Sequence, residues 1–122
     1  NQQAIIGMLL AITDQLGKYR LDYSTKVKKL VSRMTNDYDK QYYSGIVCER
    51  QGVALLQQNL QGAHFTAYEW LTEAMDHFQK AEANRPAGND DPILRWNACV
   101  RMIELHKLRA APEEEHRPLM GE

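Results

Sequence analysis

Hydrophobic residues recur every three to four positions along most of this chain, and no stretch alternates apolar and polar residues for long enough to indicate a strand. Such spacing is typical of amphipathic helices, each of which buries one stripe of side chains. The pattern falls into five segments separated by short breaks, and the chain holds only seven glycines and four prolines. The sequence therefore predicts an all-α fold of about five helices, and it leaves open whether they form a closed bundle or stacked antiparallel hairpins.

Apolar stripes mark the first three predicted helices. Those of the first two helices are Ile5-Leu9-Ile12-Leu16 and Tyr23-Val27-Leu30-Val31-Met34. Gly17 is the predicted end of the first helix. The third helix is predicted to run from about Tyr38 to Leu60, after a break at Asn36-Asp37. Its apolar positions drift round the helix axis, so we expect this helix to contact more than one neighbour.

The fourth predicted helix has the clearest start signal in the chain. Thr66 and Glu69 have the spacing of a capping box, in which each side chain accepts a hydrogen bond from the other residue's backbone N–H. Phe65 and Trp70 flank that box at the spacing of a hydrophobic staple. Both patterns predict that this helix begins at Ala67.

The fifth predicted helix begins with Asp91 as N-cap and Pro92 in the first helical position, where the missing N–H costs nothing. We expect it to continue to about Arg109. Residues 1–110 should then form a single domain. Residues 111–122, which hold four glutamates and one arginine, are predicted to be an acidic flexible tail.

Small and aromatic residues of the fourth helix follow the spacing A-x3-F-x2-A-x4-P. The four positions are Ala74, Phe78, Ala81 and Pro86. This pattern resembles the second helix of a tetratricopeptide repeat, and Gly45 and Gly52 of the preceding helix lie near one face, where close backbone contact is possible. The resemblance implies right-handed stacking of helical hairpins and a non-enzymatic scaffold that binds proteins or peptides. The alternative is a closed helical bundle that binds a small apolar ligand or metal.

The fifth helix holds the candidate binding residues. Asn97 and Arg101, one turn apart, resemble the groove positions with which repeat domains hold a peptide, and Trp96 adjoins them. Apolar residues also occupy two opposite sides of this helix. The two sides are Ile93-Trp96-Val100-Ile103 and Leu94-Ala98-Met102-Leu105. We expect the second side to be an interface that faces the N-terminal helices, a region upstream of this sequence or another subunit, which makes a homodimer one of the expected assemblies.

Charge and hydropathy exclude two classes of partner. The chain carries 15 basic and 16 acidic residues, so no nucleic-acid partner is expected. Its longest apolar run, residues 4–12, is too short to span a membrane.

Residues 18–35 hold six basic residues and one acidic residue. This segment has two interpretations: a binding patch for acidic peptides, anionic lipid or nucleic acid, or a helix face exposed to solvent. The lack of interleaved aromatic residues favours the exposed face. Because Asn1 comes first, we expect the sequence to begin inside a longer chain.

No pattern of residues predicts catalysis. Glu73 and His77 are four apart, whereas a di-iron bundle requires a Glu-x-x-His spacing. Cys48 and Cys99 lie within predicted helices without an evident activating base, which is typical of buried structural thiols. The sequence also lacks a phosphate loop, a nucleophile elbow and a dinucleotide motif. We therefore expect no enzyme activity, no cofactor and no metal.

Overall fold

A computed structural model of the chain describes residues 2–13, 23–58 and 61–112, and these residues form five α-helices and no strand. The helices are α1 (Gln2–Thr13), α2 (Tyr23–Ser32), α3 (Asp37–Gln58), α4 (Ala63–Ala83) and α5 (Asp91–Leu105). Helices adjacent in sequence pack on one another, and α1 also packs on α3. The prediction of an all-α fold with five helices is confirmed.

Several sequence predictions lie outside the described part of the chain. They concern the side chains of Ile12 and Tyr23, the residues Leu16, Gly17 and Leu60, and positions 113–122 of the predicted tail.

A first hydrophobic core lies between α1, α2 and α3. Its buried members are Ile5, Leu9, Val27, Leu30, Met34, Val47 and Ala54. The described members of the first two predicted stripes therefore face inward, as expected from their spacing. Two polar contacts tie α1 to α3: Gln2 Nε2 donates to Asp39 Oδ2 at 2.8 Å, and Arg50 Nη1 donates to the Leu10 carbonyl at 3.1 Å.

A second core lies between α3, α4 and α5. Its buried members are Ile46, Cys48, Ala67, Leu71, Ala74, Phe78, Cys99 and Leu108. Two glycines of α3 allow α4 to come very close, because a Cβ atom at Gly45 would lie 2.5 Å from the Phe78 ring and one at Gly52 would lie 2.9 Å from Leu71 Cγ. The predicted close contact at Gly45 and Gly52 is thus confirmed.

Helix α4 begins at Ala63, four residues earlier than the capping box at Thr66 predicts. Gly62 has a φ of 78° and precedes the helix, and no side chain caps this end. Glycine adopts this left-handed conformation without steric cost, so the chain turns into the helix there. The Thr66 N–H already pairs with the Gly62 carbonyl at 3.4 Å. The predicted start at Ala67 is therefore wrong.

Helix α3, by contrast, has a side-chain cap. The Asn36 side-chain oxygen accepts the Asp39 backbone N–H at 3.1 Å, and the Asn36 carbonyl accepts the Lys40 N–H at 3.0 Å. These two bonds place Asn36 at the N-cap position. The sequence break predicted at Asn36-Asp37 is therefore the start of the helix.

Helix α5 differs from its prediction at both ends. It begins at Asp91 with Asp90 as the N-cap, one residue before the predicted cap, and it ends at Leu105 instead of about Arg109. The end follows from Lys107, which has a φ of 54°. The Leu108 N–H then bonds back to the Ile103 carbonyl at 2.9 Å, and the Leu108 side chain enters the second core, as in a Schellman motif.

Candidate functional site

A cleft of about 580 Å³ between α2, α3 and α4 could hold a ligand. It exists because α3 contacts its neighbours through two nearly opposite faces. Val47 belongs to the core shared with α1 and α2, whereas Gly45 contacts α4; these positions are about 160° apart on a helix. Ser44 and Gln51 lie between the two faces and line the cleft.

The lining of the cleft includes apolar and basic side chains. Val27, Val31, Val47 and Trp70 supply its hydrophobic surface. Lys28 and Lys40 also line it. A concave apolar surface with a few polar groups is the usual form of a ligand-binding site.

Where α3 and α4 line the cleft, a thiol, a carboxylate and an imidazole come together. The Cys48 thiol donates to Glu73 Oε2 at 3.6 Å, and His77 Nε2 lies 3.9 Å from the same oxygen. The donor atoms of the three residues all lie within 4.8 Å of one another. The other imidazole nitrogen, His77 Nδ1, lies 2.9 Å from Gln41 Oε1.

The electrostatics of this cluster argue against a cysteine nucleophile. Burial, and secondarily the Glu73 carboxylate, raises the pKa of the Cys48 thiol to about 12. Burial lowers the pKa of His77, although Glu73 opposes that effect. A reactive cysteine needs a depressed pKa and direct contact with its base. In this protein the Glu73 carboxylate contacts both the thiol and the imidazole.

A second polar feature connects α3 with α5. Arg95 Nη1 donates to Glu49 Oε2 at 3.3 Å, while Glu49 Oε1 is buried and has no hydrogen-bond partner among the described residues. Burial raises the pKa of Glu49, although Arg95 and Arg50 oppose that effect. This pair contributes to the helix packing and does not line the cleft.

The predicted binding residues of α5 lie in a different place. Trp96 and Asn97 line a smaller groove of about 350 Å³ together with residues of α4, and Arg101 is exposed one turn further along. The structure brings none of these three residues to the cleft between α2, α3 and α4.

The predicted interface residues of α5 divide into two groups. The side chains of Leu94 and Leu105 are 58% and 77% exposed, and Ala98 is half-buried. Met102, however, packs against the second core. It therefore faces inward, unlike the two leucines.

Sequence reasoning missed the cluster of Cys48, Glu73 and His77 because its members come from two helices. Glu73 and His77 were compared only with the three-residue spacing of di-iron bundles. Their four-residue spacing also puts two side chains on one helix face. Cys48 is three residues after Gly45 and four before Gly52, so all three share the face of α3 that meets α4. These two spacings indicate which face of each helix carries the cluster residues, but they do not show that Cys48 meets Glu73 and His77.

Comparison of the chain with protein-family models, curated proteins and solved structures gives no match in any of the three. Within the described residues, the helices are all too short or too polar to cross a lipid bilayer.

Proposed function

We propose that this protein is a non-enzymatic binding domain, and that an acidic, apolar segment of a partner protein occupies the cleft between α2, α3 and α4. The observation that carries this proposal is the combination of an apolar cleft with two lysines, Lys28 and Lys40, in its lining. Its volume of about 580 Å³ matches pockets that accommodate several ligand side chains or a small molecule.

Charge complementarity supports an acidic partner. Lys26, Lys28, Lys29 and Arg33 are all exposed on or just after α2, and α2 contains no acidic residue. Lys28 and Lys40 extend this charge into the cleft. The described basic residues of this segment thus adjoin an apolar surface, and this arrangement favours its interpretation as a patch for acidic peptides.

The resemblance to a tetratricopeptide repeat supports the same class of function. Ala74, Phe78 and Ala81 are completely buried, and Gly45 contacts Phe78, as expected for a tightly paired helical hairpin. Right-handed stacking and peptide binding in such a domain are part of the proposal.

Tryptophan fluorescence provides a direct test, because Trp70 lines the cleft. Replacing the other tryptophan, Trp96→Phe, makes Trp70 the only reporter. The probe is a 16-residue amphipathic peptide with leucines on one face and glutamates on the other. Its matched control replaces every glutamate by lysine. We expect a saturable change in Trp70 emission with the acidic peptide and binding that is weaker by about tenfold or more with the basic peptide.

Charge-reversal variants test the site itself. Lys28→Glu combined with Lys40→Glu should weaken binding of the acidic peptide by about tenfold or more. Lys80→Glu, at an exposed position of α4, should leave it unchanged. Equal binding of both peptides, or no effect of the double variant, would overturn the proposal. Saturable binding of dodecanoate without binding of either peptide would instead favour the small-ligand alternative.

A second candidate function is association through the outer side of α5. Leu94 and Leu105 carry the specific support, because both are large, apolar and exposed. If this side forms a two-fold interface, Leu94→Glu combined with Leu105→Glu should convert a dimer into a folded monomer in sedimentation experiments. Lys80→Ala, at an exposed position of α4, serves as a control. A wild-type protein that sediments as a monomer at high concentration would contradict self-association.

A further inference from the structure

We propose that Cys48, Glu73 and His77 form a binding site for one Zn²⁺ ion in the wall of the cleft. The proposal concerns the protein alone and does not depend on whether a peptide binds there. It rests on three independent features: the distances between the donor atoms, the hydrogen bond that orients His77, and the close packing that holds the two helices together.

Two of the three distances between the donor atoms are near those of a tetrahedral zinc site, and all three atoms lie within 4.8 Å of one another. Zinc lies about 2.3 Å from sulfur and about 2.0–2.2 Å from nitrogen or carboxylate oxygen, so adjacent donor atoms are separated by about 3.4–3.6 Å. Cys48 Sγ and Glu73 Oε2 lie 3.6 Å apart. His77 Nε2 and Glu73 Oε2 lie 3.9 Å apart. Small rotations of the Glu73 side chain, which is 59% exposed, and of the His77 side chain, which is 25% exposed, would bring the donor atoms to the distances of a zinc site.

Gln41 orients the imidazole as an outer-shell residue of a metal site would. Its Oε1 atom lies 2.9 Å from His77 Nδ1, so Nδ1 carries the hydrogen and donates it. The lone pair then lies on Nε2, the nitrogen on the Glu73 side. Zinc-bound histidines usually donate their second N–H to such an acceptor, which fixes both the tautomer and the ring orientation.

Helix packing fixes the separation between the thiol and the other two groups. Gly45 contacts the Phe78 ring and Gly52 contacts Leu71, and Cys48 lies between these glycines on the same face of α3. Phe78 adjoins His77, and Leu71 is two residues before Glu73. Backbone-close contacts therefore flank the cluster on both sides.

The donor set selects zinc over harder cations. On binding, the thiol would release its proton to solvent, and a thiolate and a carboxylate would balance the two positive charges of Zn²⁺. Mg²⁺ and Ca²⁺ prefer oxygen ligands alone. Three protein ligands leave a fourth position for water, and all three residues line the cleft, so this position is open to solvent.

Cobalt spectroscopy tests the site, because Co²⁺ substitutes for Zn²⁺ and is coloured. Chelator-treated protein without an affinity tag is titrated with CoCl₂. We expect a sulfur-to-cobalt charge-transfer band and visible tetrahedral bands that saturate at one equivalent. ZnCl₂ should bleach these bands, whereas a large excess of MgCl₂ should not.

Variants assign the ligands. Cys48→Ser should abolish the charge-transfer band, and Glu73→Gln and His77→Ala should each raise the dissociation constant at least tenfold. Gln41→Ala should raise it about tenfold or more. Cys99→Ser, Glu104→Gln and His106→Ala change residues outside the cluster and should leave it unchanged. Circular dichroism verifies that each variant is folded, and the exposed Glu73 provides a test even if Cys48→Ser fails to fold.

Three results would overturn the proposal. The first is the absence of a charge-transfer band at one equivalent of Co²⁺ in the wild-type protein. The second is a band that survives in Cys48→Ser but disappears in Cys99→Ser. The third is unchanged affinity in both Glu73→Gln and His77→Ala, because that outcome would leave the thiol as the sole ligand.

Discussion

Helix α3 presents two different faces to its neighbours. Toward α4 it presents Gly45, Cys48 and Gly52, and the side chains of α4 reach its backbone. Toward α1 and α2 it presents Val47 and Ala54, which join a core of ordinary aliphatic side chains. At the interface with α4, an added methyl group at either glycine would clash with a side chain of α4. At the interface with α1 and α2, apolar side chains fill the space between the helices.

This difference explains where the polar cluster lies. Where side chains of ordinary size separate two packed helices, the helix axes lie about 8–10 Å apart. At that distance, short polar side chains on the two helices do not reach one another. Glycines bring α3 and α4 closer, so that the short Cys48 side chain reaches the Glu73 carboxylate. The cleft, in turn, occupies the sector of α3 that neither interface covers.

The largest change in stability should come from adding a methyl group to the side of α3 that faces α4. Gly45→Ala adds a Cβ atom that would lie 2.5 Å from the Phe78 ring, and a fully buried ring cannot move without displacing its neighbours. We expect the free energy of unfolding to fall by about 1–3 kcal/mol, even though alanine favours the helix by about 1 kcal/mol. Urea denaturation monitored by circular dichroism measures this change.

Gly7→Ala is the matched control on α1. A Cβ atom at Gly7 would meet nothing within 4 Å, so the same substitution should stabilise the protein by about 0.5–1 kcal/mol. The two glycines lie in helices and differ in their surroundings. Equal effects at both positions would show that the contact with Phe78 does not limit the approach of α4.

The helices could be predicted from sequence because their apolar periodicity is local, and Asn36-Asp37 correctly marked a helix boundary. The start of α4 could not, because Thr66 and Glu69 have the spacing of a cap while Gly62, whose φ is 78°, begins the helix one turn earlier. The cluster of Cys48, Glu73 and His77 depends on the distance between two helices. That distance follows from Gly45 and Gly52, whose shared face was predictable although the partners of Cys48 were not.

The N-termini of α3 and α4 also differ, because a side chain caps α3 whereas none caps α4. Substitutions at these two ends should have smaller effects than Gly45→Ala. Asn36→Ala removes the side chain that accepts the Asp39 N–H and should reduce the free energy of unfolding by about 1 kcal/mol. Thr66→Ala should change it by less than about 0.5 kcal/mol, since exposed positions without special contacts tolerate substitution. Urea midpoints of both variants measure the difference. A larger loss from Thr66→Ala would restore the capping box as the start of α4.

The smallest effect concerns Glu49, which lies on the side of α3 that meets Arg95 of α5. Because burial raises the pKa of this carboxyl above its ordinary value of 4.5, the folded protein binds the proton more tightly than the unfolded chain does. The contribution of Glu49 to stability is therefore greatest below pH 4.5, and it decreases as the pH rises through the raised pKa of the folded state.

Glu49→Gln removes this titration and keeps the shape of the side chain. At pH 7 the variant should be more stable than the wild type by up to about 1 kcal/mol, because the cost of burying the charge outweighs its attraction to a partly exposed arginine. Urea midpoints measured from pH 4 to pH 8 should show a difference between the two proteins that grows with pH, since every other titrating group is shared. If the wild type gains stability over the variant as the pH rises, the ion pair with Arg95 outweighs the cost of burying the Glu49 carboxylate.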